Sequence, residues 1–262
     1  MRNIATLADA LATPAVHLVA VDQPSKSYLG GSPRLPAGVA WPAWQGRPLG
    51  FLVRLSLSEV HQAHRIDWLP AEGALLFFYD VEEQPWGFDP KDRGSCVVLH
   101  TADLDEPVGP TQEDEADAYC PRRNLEPRRI AVLPSSERSE VAALSLSDEE
   151  SEAYWEWMDS PFDGLPRHQV GGLPAPVQGD GMELECQLAS HGLYCGDSSG
   201  YQDPRATALA SGAQDWRLLL QLDTDDDAGI MWGDCGMLYF WVRAEEAASG
   251  DFRNPWLILQ CS

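Results

Sequence analysis

Short, unbroken apolar runs set the strongest constraint on what this chain can become. "GALLFFYD" (73–80), "WRLLLQLD" (216–223), "GMLYFWVR" (236–243) and "WLILQC" (256–261) are rich in Leu and aromatic residues and are bounded by Gly, Pro or Asp. Runs of this length and composition read as buried strands. "VHLVAV" (16–21), "FLVRLSL" (51–57), "CVVLH" (96–100) and "RIAVL" (129–133) add further strands. Short helical patterns lie between them. The expected fold class is therefore α+β, with mixed, largely antiparallel sheets and short helices.

The clearest helix is "SDEESEAYWEWMD" (147–159), where Ser147 and Glu150 form a capping-box pattern and early carboxylates favour the helix N-terminus. Residues 2–12 place Ile4, Leu7, Ala8 and Leu11 on one helical face. "EVHQAH" is expected to be a short helix capped by Ser58. "GMELECQLASHG" (181–192) turns Met182, Cys186 and Ala189 inward, and "DPRATALASGAQ" (203–214) starts with Asp203 as N-cap and Pro204 in the first turn. "RAEEAASGDF" forms a short helix before the last strand. The Gly/Pro-rich stretches 28–50 and 167–178 read as ordered loops, the first pinned by Trp41 and Trp44. Residues 103–128 turn acidic, then basic and proline-broken, and predict an exposed excursion.

Several of these segments recur in pairs. "GGSPRLP" at 30–36 parallels "GGLPAPV" at 171–177, "LGFLVRLSLSEV" parallels "RLLLQLDTDDD", and "ALLFFYDVEE" parallels "GMLYFWVRAEE". One domain over 1–262 is expected, with pseudo-repeated halves of about 16–134 and 165–262 sharing one core.

The segments "GGSPRLPAGVAWPAWQGRPLGFLVRLSLSEV", "GALLFFYD", "HQVGGLPAPVQ", "WRLLLQLDTDDDAGIMWGDCGMLYFWVR" and "DFRNPWLILQC" together resemble the YwqG-like family of bacterial proteins. The resemblance runs from about Leu29 to Cys261. It implies a mixed α+β protein with an internal duplication and no established activity or cofactor. Members look similar to proteins encoded near secreted-toxin systems, which implies an immunity role for some of them.

Charge narrows the partners. The 262 residues carry 41 acidic against 18 basic side chains, a net charge of −23, while 44% are hydrophobic. Enough apolar surface is present to build a core, so the acid is a property of the surface rather than a sign of disorder. Nucleic-acid binding needs Lys and Arg to neutralise phosphate, and an anionic lipid surface repels such a chain. No apolar run is long enough for a spanning helix and no secretory signal is evident at the N-terminus, so a cytoplasmic protein with reduced thiols is expected.

Candidate site residues follow from "QLDTDDDAGIMWGDCG" (221–236). With Asp223 at the first position of a twelve-residue calcium loop, Asp225, Asp227, the Gly229 carbonyl and Asp234 occupy liganding positions. Ala228 stands where that loop needs Gly, and strands rather than helices flank it. The alternative is a polar turn in which the Asp side chains bond their own backbone. Trp232 and Asp234, with His168 beside the "GGLP" segment, are candidates for a ligand or partner surface. Against this stand a core Trp and a hydrogen-bonded structural His. Cys186, His191 and Cys195 have zinc-like spacing but lack a close Cys pair. His61 and His64 lie three apart without an evident third ligand, and "CGDSSG" (195–200) lacks the partners of a catalytic triad. No residue is assigned a catalytic role.

The function these readings favour is a non-catalytic, acidic binding protein, in the manner of an immunity protein masking a basic toxin or effector. A small-ligand-binding protein or enzyme with a site between the two halves is the first alternative. A calcium-stabilised structural domain is the second, with calcium as its cofactor. The sequence leaves the oligomeric state open.

Overall fold

The computed structural model describes residues 4–102 and 118–262. The acidic part of the expected excursion, residues 103–117, lies outside the described residues. In chain order the elements are α1 (Ile4–Leu11), β1 (Thr13–Val21), β2 (Tyr28–Leu29), β3 (Ala43–Trp44), β4 (Arg47–Pro48), β5 (Gly50–Ser56), α2 (Leu57–Ala63), β6 (Ala74–Tyr79), β7 (Cys96–Thr101) and β8 (Arg123–Val132). There follow α3 (Ser139–Ala142), α4 (Asp148–Asp159), β9 (Gln169–Val170), α5 (Met182–Ser190), α6 (Ser199–Gln202), α7 (Ala206–Leu209), β10 (Trp216–Asp223), β11 (Met237–Arg243), α8 (Ala244–Ala248) and β12 (Trp256–Gln260). The α+β expectation holds.

Among the described residues, ten strands form one antiparallel sheet in the order β12-β11-β10-β9-β1-β8-β2-β5-β6-β7, and β3 and β4 make a separate small hairpin. The long pair β1 and β8 lies at its centre, in register from Thr13 opposite Val132 to Val21 opposite Asn124. The strands after residue 165 join those before residue 134 in one continuous sheet, where β9 pairs with β1. The two-residue strands β2 and β9 flank this pair, and each runs into a Gly-Gly step. Gly30 and Gly31 have φ of +66° and +68°, and Gly171 and Gly172 have +66° and +70°. These left-handed conformations favour glycine.

The sheet curls until its arms meet. Phe77 on β6 packs edge to face on Phe240 on β11, and Tyr79 packs on Trp232. Alternation explains the unbroken apolar runs. Leu75, Phe77 and Tyr79 face the inner core together with Leu238, Phe240 and Val242. Leu76 and Phe78 face the loop that carries Trp44, while Met237, Tyr239 and Trp241 lie beneath α5. Strands covered on both faces need no polar alternation. The loop after β6 covers the β12 edge: Leu259 N–H donates to the Trp86 carbonyl at 3.0 Å and Trp256 Nε1 to the Gly87 carbonyl at 2.8 Å. Covering an edge in this way blocks pairing with a second chain.

Several local expectations hold. Both halves of the Ser147–Glu150 capping box form at α4. Met182, Cys186 and Ala189 of α5 are buried. Trp41 Nε1 and Trp44 Nε1 pin their loop through the Leu49 and Arg93 carbonyls. Others change. Helix α2 follows β5 directly, so Ser56 and not Ser58 is its N-cap residue. The expected helix over 203–214 splits into α7 and a 3-10 turn.

The largest change is β8, where the basic, proline-containing segment becomes a central strand rather than an exposed excursion. Pro127 is tolerated there for a geometric reason. It faces Leu18, whose N–H points the other way to His168 O, so the pair exchanges no hydrogen bond. On the far side β2 reaches only Asn124 and Arg123, so no strand misses the absent N–H.

Candidate functional site

The acidic hairpin between β10 and β11 is tied to the segment preceding β9. The Asp223 N–H donates to His168 Nδ1 at 3.1 Å. The ring proton therefore sits on Nε2, which lies 3.4 Å from Asp225 Oδ2. Asp225 is only 6% exposed, and its Oδ1 also accepts the Ala228 N–H at 3.1 Å. The hydrogen bond from His168 holds the Asp225 carboxyl below the usual carboxylate range. Asp223 Oδ2 accepts the Arg167 N–H at 2.8 Å, and burial pushes its carboxyl up. Trp232 is fully buried, donates from Nε1 to the Asp223 carbonyl at 3.2 Å and stacks on Tyr119.

His168 and Trp232 are therefore brought together, one on each polar group of the Asp223 backbone, but inside the protein. Asp234 is exposed, whereas His168 and Trp232 are buried, and its carbonyl accepts the Ser262 N–H at 3.1 Å. The three do not form a common ligand or partner surface.

The calcium register is not assembled either. Asp223, Asp225, Asp227 and Asp234 do not converge, and no group of three His, Cys, Asp or Glu side chains among the described residues could hold a metal ion. The reason is local. Asp225 and Ile230 exchange backbone hydrogen bonds of 3.0 and 3.1 Å, which pinches off a small turn inside the span that would wrap an ion. Two carboxylates are already committed to backbone amides, while Asp227 and Gly229 are exposed on the turn. The Asx-type turn thus describes this stretch better than a cation loop.

The remaining motifs are structural. Cys186 and Cys195 are buried, and burial pushes the Cys195 thiol up to about 11, whereas His191 is exposed and bonds the Gln187 carbonyl. His61 uses both ring nitrogens on backbone groups, Pro70 O and Ile66 N. Three buried glutamines, not foreseen, fasten the Gly/Pro segment after β9 to the sheet. Gln169 bonds Gly171 O and Leu173 O, Gln221 bonds Ala175 N and Arg167 O, and Gln260 bonds Val177 N, Gln178 N and Gly179 O.

Two surface features remain. One is a cleft of about 540 Å³ between the start of β1, the segment after α2, Arg138 and the start of β10. Its walls include Ile66, Trp68, Trp216, Leu218 and Trp241. Arg65, Arg138 and Arg217 also line it, against the carboxylates of Asp67 and Glu183. Arg138 is clamped by Asp180 and Glu183 at 2.7 Å, and Arg65 pairs with Asp67 at 3.0 Å. Arg217 makes no ion pair among the described residues; its Nη1 donates to the carbonyls of Gln214 and Trp216. Trp241 is 1% exposed, and its indole N–H has no partner among the described residues. Leaving such a donor unpaired costs about 1–3 kcal/mol. The cleft is invisible in sequence because its lining comes from several distant segments.

The second feature is the exposed surface of α4. Tyr154 and Met158 bury its inner face against α1, Leu133 and Val141. Trp155 and Trp157 project from opposite flanks of the helix, 51% and 41% exposed, amid Glu152, Glu156 and Asp159. Among the described residues no helix is long and apolar enough to cross a membrane.

The chain belongs to the family defined by the domain of unknown function DUF1963, whose model matches residues 27–261. No curated protein matches it.

Proposed function

We propose that this DUF1963 member is a non-catalytic binding protein of the YwqG-like bacterial type, an immunity protein that acts in the cytoplasm by masking a basic partner protein. The observation that carries this reading is the exposed surface of α4, with one tryptophan on each flank. Two tryptophans with no role in the core stand exposed among carboxylates on a chain of net charge −23. Buried aromatic anchors dominate interface energetics, and opposite potentials speed association and select the partner. The engagement of His168, Asp223 and Asp225 in structural hydrogen bonds also favours binding over catalysis.

The same reading takes the chain as one domain that arose by duplication. Support comes from the strand order on either side of the central pair, where each arm holds a two-residue strand and then a three-stranded meander. The twin Gly-Gly steps after β2 and β9 support it further.

The test is a low-salt pull-down from native lysate with the wild type and the Trp155→Ala/Trp157→Ala double variant. Any captured protein is identified and then co-expressed with the chain. A basic protein held by the wild type, released by salt, lost from the variant and rendered harmless by co-expression is the expected result. Capture of no basic protein, or equal capture by the variant, overturns the proposal.

A further inference from the structure

We propose that the cleft beside Arg217 is a binding site for a small aromatic carboxylate, separate from the α4 face. None of its lining residues belongs to α4, so it stands independently of the partner reading.

Three observations define the ligand class. The first is size: about 540 Å³ falls within the range of small-molecule sites. The second is charge. In a protein with 41 acidic and 18 basic residues, this cleft gathers three arginines against two carboxylates. Arg65 and Arg138 are answered by Asp67, Asp180 and Glu183, which leaves Arg217, among the described residues, with neutral carbonyl partners. A guanidinium in that state is free to take a carboxylate in a bidentate pair. The third is the wall chemistry. Trp68, half-buried, supplies flat aromatic surface, and Pro14 and Leu173 supply further apolar wall.

A single negative charge on a planar apolar body fits this combination. A bare phosphate leaves the Trp68 surface unused and meets Asp67 and Glu183 with more negative charge. An amine meets the arginines. The clamp of Asp180 and Glu183 on Arg138 holds one wall in place before the ligand arrives, which lowers the ordering cost of binding.

Calorimetric titration of the full chain with 2-naphthoate, 2-naphthamide and inorganic phosphate tests this. Naphthoate should bind, naphthamide should bind about tenfold more weakly, in line with loss of one charge-assisted contact, and phosphate should give no heat. Arg217→Gln should weaken naphthoate about tenfold and leave naphthamide unchanged. Gln214→Glu, an exposed change at the rim, should weaken naphthoate through charge alone and serves if the first variant is unstable. Absence of naphthoate binding at millimolar concentration overturns the site. Equal binding of naphthamide, or naphthoate affinity unchanged in both variants, overturns the anionic part. Phosphate binding as tightly as naphthoate overturns the aromatic part.

Discussion

Phe77 and Phe240 meet edge to face with ring centroids 5.2 Å apart and planes at 81°, although their strands stand next to opposite ends of the sheet. The contact joins the two arms of the curl and is fully buried. Replacing Phe77 with Ala should cost about 3–5 kcal/mol of unfolding free energy. A double-mutant cycle with Phe240→Leu should show coupling of about 0.5–1.5 kcal/mol. Additive effects in chemical denaturation would mean that the arms do not support one another.

The aspartates of the β10–β11 hairpin should divide by burial. Asp225→Ala removes the partner of His168 and the cap on Ala228 N–H, and should cost about 2–4 kcal/mol. Asp227→Ala changes an exposed side chain and should stay within about 0.5 kcal/mol of wild type. Because the folded state holds Asp225 below its ordinary range, its contribution is present above that range and lost as pH falls. Millimolar calcium should leave the melting temperature unchanged; a rise would show binding to the folded state.

Gly30 and Gly172 should resist even alanine. A Cβ at Gly30 would stand 2.4 Å from the Pro121 carbonyl oxygen, and one at Gly172 would stand 2.6 Å from Ala15 Cβ. Both residues also have positive φ. Each substitution should destabilise by about 2–4 kcal/mol, whereas Gly46→Ala, with positive φ but nothing near, should cost only the backbone penalty of about 1 kcal/mol. Equal losses at all three positions in thermal melts would argue against the close packing.

Glu185 should make stability fall with rising pH. Burial pushes its carboxyl from 4.5 up to about 7, and Oε2 has no partner among the described residues. The folded state therefore holds the proton more tightly than the unfolded chain between those values. Stability from this group is full below pH 4.5 and lost by about pH 7. Compared across that window, Glu185→Gln should gain on the wild type by about 1–3 kcal/mol. A constant difference between the two proteins would contradict the burial effect.

What could be read from sequence was whatever is encoded locally. Helix α4 announces itself because the Ser147–Glu150 box and the inward Tyr154 lie within one short stretch. The apolar runs of β6 and β11 mark strands because their burial on both faces removes polar alternation. By contrast β8 resembles a loop, since Pro127 and three arginines are strand-compatible only beside β1. His168 and Trp232 stand out in the sequence beside glycines, yet their role is set by the Asp223 backbone, more than 50 residues from His168. Arg217 gains its setting from segments scattered between Thr13 and Trp241. No periodicity encodes such a meeting.

The central position of β1 bears on how the protein is made. Its nine residues, "TPAVHLVAV", pair with β8 and β9 and with no nearer strand. On the ribosome this apolar segment emerges well before its partners, and waits until residue 132 for the first and residue 170 for the second. Contacts of such separation close slowly. The β5–β6–β7 meander can form first, and the N-terminal strand slots in afterwards. Ribosome-arrested chains ending before β8 should therefore recruit holdase chaperones through β1, and chains that extend past β9 should release them.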